Sequence, residues 1–284
     1  MTRQAYDLHG KVILITGGTG GIGSATASEL IRRGAKVALV DVDPETPQIA
    51  SRMSSLSAIG TIADVCSRDA LDVAVADVVD RFGRVDVAIA NAGILSRAAT
   101  LRAMPMSSIE SVLAVNVSGV INIIQAAMDQ VIAHRGQFVL ISSVFAFLNG
   151  MGTIPYAMSK AAVEQLGRGL RVELAAHGVS TTVAYFSLIE TNMIKQGVDD
   201  DPVVDELLAT LPRAFLKRLQ PDTAATAIAN GLTHRSPRVM EPSRWKPISA
   251  LRGLIAPAMD SHLARDRRTL AALSELDARS RTAP

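Results

Sequence analysis

"VILITGGTGGIG", residues 12–23, decides the fold. Its first five residues are an apolar, β-branched run, and the next seven hold five glycines. Residues 24–33 then have helical character and stop at Gly34, and a second apolar run, 36–40, ends in Asp41. Strand, Gly-rich turn, helix and strand make a βαβ unit, and both strands are apolar enough to be covered on both faces. Glycines at such a turn let the backbone approach a pyrophosphate, while the N–H groups and dipole of the following helix attract its charge. Gly17, Thr19, Gly21, Ile22 and Gly23 are therefore candidate dinucleotide contacts. Asp41, 18 residues beyond Gly23, is placed to accept hydrogen bonds from an adenosine ribose. A carboxylate there repels the 2′-phosphate of NADP, and neither the loop nor Val42 and Asp43 supplies an Arg or Lys, so the expected cofactor is NAD.

The same alternation continues outward. Strands are expected near 60–63, 85–93, 137–142, 180–185 and 238–241, and helices over 70–82, 109–133, 156–176 and 221–232, with an irregular loop and an apolar helix in 190–218. Apolar strands separated by helices imply a single α/β domain: a Rossmann-like, doubly wound parallel sheet with helices on both faces. Residues 1–240 form the expected nucleotide-binding domain, including a substrate loop at about 190–218, and 241–284 form a C-terminal extension.

Composition narrows the function. Of 284 residues 48% are hydrophobic and 20% charged, which fits a folded chain, and the net charge of +2 gives no electrostatic support for nucleic-acid binding. Cys66 is the sole cysteine, which rules out an intramolecular disulfide and a Cys-based metal site and fits a reducing compartment; a small buried side chain is its expected role. The N-terminus has no apolar signal core, and no run of 18 or more apolar residues reads as a membrane span, so a cytoplasmic location is expected.

A second stretch, "SVFAFLNGMGTIPYAMSK" at 143–160, carries the chemistry. Hydride transfer between C–H and a nicotinamide needs a group that takes or gives the hydroxyl proton. Tyr156 can be that acid/base if its pKa, near 10 in isolation, is lowered. Lys160, four residues on and on the same helical face, is placed to lower it. Ser143, at a strand end, can hydrogen-bond the substrate oxygen.

These motifs together resemble the short-chain dehydrogenase/reductase family, whose glycine pattern is TGxxxGxG. Thr16, Gly17, Gly21 and Gly23 match it, and Asp64-Val65, Asn91-Ala92-Gly93, Asn116, Ser143 and Tyr156-x-x-x-Lys160 follow in order. The resemblance covers about residues 8–240. It implies that Asp64 and Val65 contact the adenine and that Asn91, Ala92 and Gly93 line the cofactor. It further implies that Lys160 reaches the nicotinamide ribose, Asn116 holds a water leading from Lys160 to solvent, and Ser143 rather than Ser142 faces the substrate. The family's Pro-Gly after the sixth strand is replaced here by Phe186 and Ser187. Thr191 is nevertheless in place for a carboxamide contact, with Ile189 offering backbone groups.

Few charges occur in the segments expected to line the pocket. Phe145, Phe147, Leu148, Met151, Met193, Leu207 and Leu211 suit an apolar secondary alcohol or ketone of steroid, terpenoid or long-chain type, although core or subunit-interface roles fit the same residues. Oxidation is the expected direction, because cells keep NAD mostly oxidised. The tail at 244–264 sets Trp245, Ile248, Leu251, Leu254 and Ile255 among Arg and Lys, with two prolines; a lid, a subunit contact or a peripheral membrane contact would each use it. A homodimer or homotetramer is expected. The competing reading from another class is a non-catalytic NAD sensor acting through its C-terminal segment.

Overall fold

The computed structural model describes residues 5–210 and 216–279. Seven strands form one parallel sheet in the order β3-β2-β1-β4-β5-β6-β7: β1 Val12–Thr16, β2 Lys36–Asp41, β3 Ala58–Ile62, β4 Val87–Ala90, β5 Gln137–Ser143, β6 Ser180–Phe186 and β7 Arg238–Glu241. The order reverses between β1 and β4, which makes that junction the crevice where ligands of such sheets bind. Along β1, Val12 and Leu14 join one core and Ile13 and Ile15 the other, so the two-residue period of a strand feeds both faces.

One face is covered by α1 Gly21–Arg32 and α2 Thr46–Met53, together with α9 Pro221–Thr233. The other is covered by α3 Arg68–Phe82, α5 Gly119–Ala133 and α6 Ile154–Glu173. Helix α2 was not expected from the sequence, where Pro44 and Pro47 flank a polar run; Pro47 is accommodated because it sits in the first turn. The long helix expected at 109–133 starts earlier, as α4 Met106–Leu113, and passes through a π-turn at Ala114–Ser118 before α5. Contrary to the sequence expectation, Met106–Ala133 is long and apolar enough to cross a membrane by length and composition. Its apolar face, with Val120, Ile123, Ile124 and Ala127, is spent on the sheet. Cys66 lies exposed in the turn before α3, not buried, because Val65 takes the inward position beside it.

Beyond β6 come a short turn α7 Asn192–Ile194 and helix α8 Pro202–Leu208. After β7 the chain forms three helices, α10 Trp245–Ala250, α11 Arg252–Leu263 and α12 Arg267–Arg279. Pro257 stands inside α11. The tail's apolar stripe divides: Trp245 is 2% exposed and packs with Phe147 and Met240, Ile248 leans on the same cluster, and Leu251 and Leu254 face outward. Ala272 and Leu276 of α12 pack against Val203 and Leu207 of α8, so the extension sits on the segment that follows β6.

Candidate active site

The loop after β1 is held by hydrogen bonds to the end of β4. Thr16 Oγ1 accepts from the backbone N–H of Asn91 (3.1 Å) and Ala92 (3.2 Å), and Asn91 Nδ2 donates to the carbonyls of Thr16 (3.0 Å) and Gly17 (2.9 Å). The turn tolerates no side chain at two positions. Gly17 has φ +63°, where L-residues are strained, and a Cβ on Gly23 would lie 2.1 Å from the Gly17 carbonyl oxygen. The first turn of α1 has neither a capping side chain nor an acidic residue, so its N–H groups and dipole remain suited to an anion. Asp41 Oδ2 accepts from the Thr19 N–H (2.9 Å) and hydroxyl (2.7 Å), which ties the carboxylate to the loop.

A cleft of about 410 Å³ opens here. It brings together Gly17, Thr19, Gly21, Ile22, Asp41, Asp64, Val65, Asn91, Ala92 and Gly93 with Ser143, Tyr156, Lys160, Ile189 and Thr191. Two of the residues expected at the site do not border the cleft: Gly23 shapes the loop by its close approach to Gly17, and Asn116 lies within the π-turn. Ile189 bridges to Leu219, but that bridge uses the Leu188 carbonyl and the Glu190 N–H rather than Ile189's own groups. Among the described lining residues Lys160 is the one cation, and Asp41 and Asp64 are the carboxylates. The cradle of glycines and the uncapped helix end fit a dinucleotide.

The adjacent serines that end β5 point to opposite sides of the sheet. Ser142 Oγ donates to the Lys160 carbonyl (2.8 Å) and fastens the strand to α6. Ser143 Oγ donates to the Phe186 carbonyl (3.2 Å), accepts from the Phe145 N–H (3.2 Å) and hydrogen-bonds the Tyr156 hydroxyl. Lys160 Nζ is buried, donates to the Ile141 carbonyl (3.1 Å) and lies 5.5 Å from the centre of the Tyr156 ring. Burial pushes the Tyr156 phenol above its ordinary value, and its hydrogen bond with Ser143 pulls the other way. The sequence expectation of a lowered value is thus not met in the protein by itself, because desolvation outweighs the groups that favour phenolate. Burial also pushes Lys160 down, to about 8.

Asn116 is fully buried, not a surface residue of its helix. Its Oδ1 accepts from the Ile94 N–H (2.8 Å), and its Nδ2 donates to the Ile94 carbonyl (2.9 Å) and to Ser159 Oγ (3.0 Å), which in turn donates to the Tyr156 carbonyl (2.7 Å). The side chain thereby braces the loop after β4 against the first turn of α6.

A second cavity meets the first at Ser143, Tyr156, Ser187, Met193 and Ile194. Phe145, Leu148, Met151, Met193 and Leu207 line it as expected; Phe147 instead packs in the core against Tyr185 and Trp245, and Leu211 lies outside the described residues. Leu95 lines it from the segment after Asn91, Trp245, Met259 and Leu263 line it from the tail for which a lid was one of the expected uses, and Ser187 is a lining residue that sequence reasoning missed. The lone tryptophan of the chain beside Ile248 was the one signal that the extension turns inward. The extension is also pinned by polar contacts. Arg252 makes two hydrogen bonds to the buried Glu164 of α6 (2.9 and 2.8 Å), Asn149 bonds Asp260 (2.9 Å), and Thr100 bonds Asp277.

The geometry agrees with comparisons to known proteins. The sequence profile of the short chain dehydrogenase family matches residues 11–202. The chain is 30% identical over 210 residues to 2-(R)-hydroxypropyl-CoM dehydrogenase of Xanthobacter autotrophicus, covering 72% of this chain and 84% of that one. It is 31% identical over 213 residues to 5-keto-D-gluconate 5-reductase of Escherichia coli, covering 74% and 84%. In fold it is similar to the 3-ketoacyl-(acyl-carrier-protein) reductase of Brucella melitensis complexed with NADH, with a TM-score of 0.72 and 23% identity over 82% of this chain and 97% of that one. Profile, relatives and the ordered site residues converge on one conclusion: the chain belongs to the short-chain dehydrogenase/reductase family, oxidoreductases that act on alcohol and ketone groups with nicotinamide cofactors.

Proposed function

We propose that the protein oxidises a secondary alcohol on a largely apolar substrate, of steroid, terpenoid or long-chain size, with NAD as hydride acceptor. The observation that carries this reading is the meeting of two unlike cavities, a cleft with glycines and carboxylates and an apolar chamber, at the hydrogen-bonded hydroxyls of Ser143 and Tyr156. Bound NAD would supply the acceptor for the hydride leaving the carbinol carbon. Tyr156 Oη takes the hydroxyl proton, and Ser143 turns its hydroxyl from the Phe186 carbonyl to orient the substrate oxygen. Lys160, buried beside the Tyr156 ring, supplies the positive charge that favours phenolate once the site is filled. NAD rather than NADP is supported by Asp41 in the cleft and by Lys160 being the one cation among the described lining residues. The side-chain donors of Asn116 are committed to Ile94 and Ser159, so water-holding there falls to the backbone of its π-turn.

Mixing the purified protein with NAD and a panel of apolar secondary alcohols, while following NADH absorbance, tests the reading. Tyr156→Phe is expected to lower turnover by about 10²–10⁴-fold with NAD affinity nearly unchanged. Near-normal turnover in that variant would sink the assignment.

A further inference from the structure

The C-terminal extension concentrates the positive charge of the chain. Residues 244–270 hold six Lys or Arg against two Asp, while the whole chain carries a net charge of only +2, so the remainder is net negative. Both carboxylates are engaged: Asp260 accepts from Asn149 Nδ2 (2.9 Å), and Asp266 accepts from the Thr269 N–H (2.8 Å) and hydroxyl (2.9 Å). Of the cations, Arg252 is spent on the buried Glu164, and Arg244 donates to the Lys217 carbonyl (3.1 Å). Lys246, Arg265, Arg267 and Arg268 remain, all exposed and with no ion pair among the described residues.

Helix α11, between Lys246 and these arginines, is apolar on two sides. Arg252, Ile255, Ala256, Met259 and Leu263 recur at helical spacing and turn inward, and Met259 and Leu263 line the apolar chamber. Leu254, Pro257 and Ala258 recur on the other side and are exposed, and Leu251, just ahead of the helix, is exposed as well. Leu254 is 79% exposed and Leu251 53%, so the two largest side chains of this outer stripe stand in water.

We propose that α11, with Lys246 before it and Arg265, Arg267 and Arg268 after it, is a docking surface for an anionic lipid bilayer. The outer stripe enters the headgroup boundary, where the leucines leave water, and the cations meet lipid phosphates. A second copy of the chain fits this surface less well, because a two-fold contact sets the same segment against itself and brings like charges together. Docking would hold the back of a chamber wall against the bilayer, the phase in which an apolar substrate collects. That consequence rests on the alcohol-oxidising reading above; the docking itself does not.

The test is co-sedimentation of the full chain with vesicles. The protein is expected to sediment with vesicles of phosphatidylcholine and phosphatidylglycerol in equal parts, not with phosphatidylcholine alone, and to be released by raised salt. Replacing both Leu251→Ser and Leu254→Ser should weaken this binding at least about tenfold, and Lys246→Gln or Arg265→Gln about fivefold each. These side chains are exposed, so the melting temperature and the NAD dissociation constant should stay put in every variant. Equal binding to both kinds of vesicle, binding to neither, or binding that survives the paired leucine change would overturn the proposal. Self-association of the wild type that is lost with the same leucines, with no vesicle binding, would assign the stripe to a second copy and overturn it too. Failure to oxidise any alcohol would count against the functional reading and leave each of these outcomes as decisive as before.

Discussion

The two cavities are built by opposite means. Around the nucleotide cleft the backbone does most of the shaping: glycines admit close approach, Thr16 and Asn91 tie loop to strand, and one carboxylate, Asp41, is held by the loop it serves. Around the apolar chamber the side chains do the shaping, and they come from distant parts of the chain: the loops after β4 and β5, the segment after β6, and the C-terminal helices. The first wall is tied together by hydrogen bonds between the glycine loop, the end of β2 and the end of β4; the second depends on helices and loops pinned to one another by packing and ion pairs. A change in the glycine loop or at Asp41 should therefore act on cofactor binding, and a change in the chamber's pins should alter substrate handling and stability together.

The largest effect should come from Gly23→Ala. The added Cβ meets a backbone oxygen at 2.1 Å, so the loop must open; NAD affinity should fall by more than tenfold in a fluorescence titration. A smaller effect concerns charge in the cleft. Lys160 titrates near 8 when folded against 10.5 in the open chain, so below pH 8 both states hold the proton and its burial penalty is fully present. Between about 8 and 10.5 the unfolded chain binds the extra proton, and stability should rise by up to about 1.4 kcal/mol per pH unit relative to Lys160→Met, as read by urea unfolding. No such divergence would show that Lys160 does not titrate in that window.

On the chamber side, Arg252→Ala leaves the buried Glu164 carboxylate without its paired donors. A loss of about 1–3 kcal/mol in stability and a raised KM for alcohols are expected, with NAD affinity unchanged. A parallel loss of NAD affinity would break the division drawn between the two walls. The smallest effect should be that of Asp41→Ala, which trades about 1 kcal/mol of NAD affinity for relaxed exclusion of NADP; an unchanged cofactor ratio would remove the charge argument for NAD.

The same contrast explains what could be read from the chain. The βαβ unit, Asp41 and the Tyr156–Lys160 pair are local patterns, in which spacing alone fixes who is neighbour to whom. Helix α2 was hidden by its flanking prolines, and the burial of Asn116 by a π-turn that rotates its position inward, a break in periodicity that residue types do not announce. Trp245, Met259 and Leu263 become cavity walls through packing between residues about a hundred apart in sequence, which no local pattern encodes. The direction of the Tyr156 shift belongs to the same class, since desolvation is a property of the folded surroundings.

Ser142 and Ser143 carry a consequence for how this site can change over time. Neighbouring positions of a strand face opposite sides, so Ser142 is a rivet to α6 while Ser143, the residue proposed to meet the substrate, turns to the Phe186 carbonyl, though the two residues are chemically identical. A one-residue deletion within β5 would exchange their facings and cost the tie to α6, whereas swapping either residue for threonine would not. The spacing of β5 is therefore under tighter constraint than its composition, and lineages diverging from this chain should accumulate substitutions in the strand long before they tolerate a change in its length.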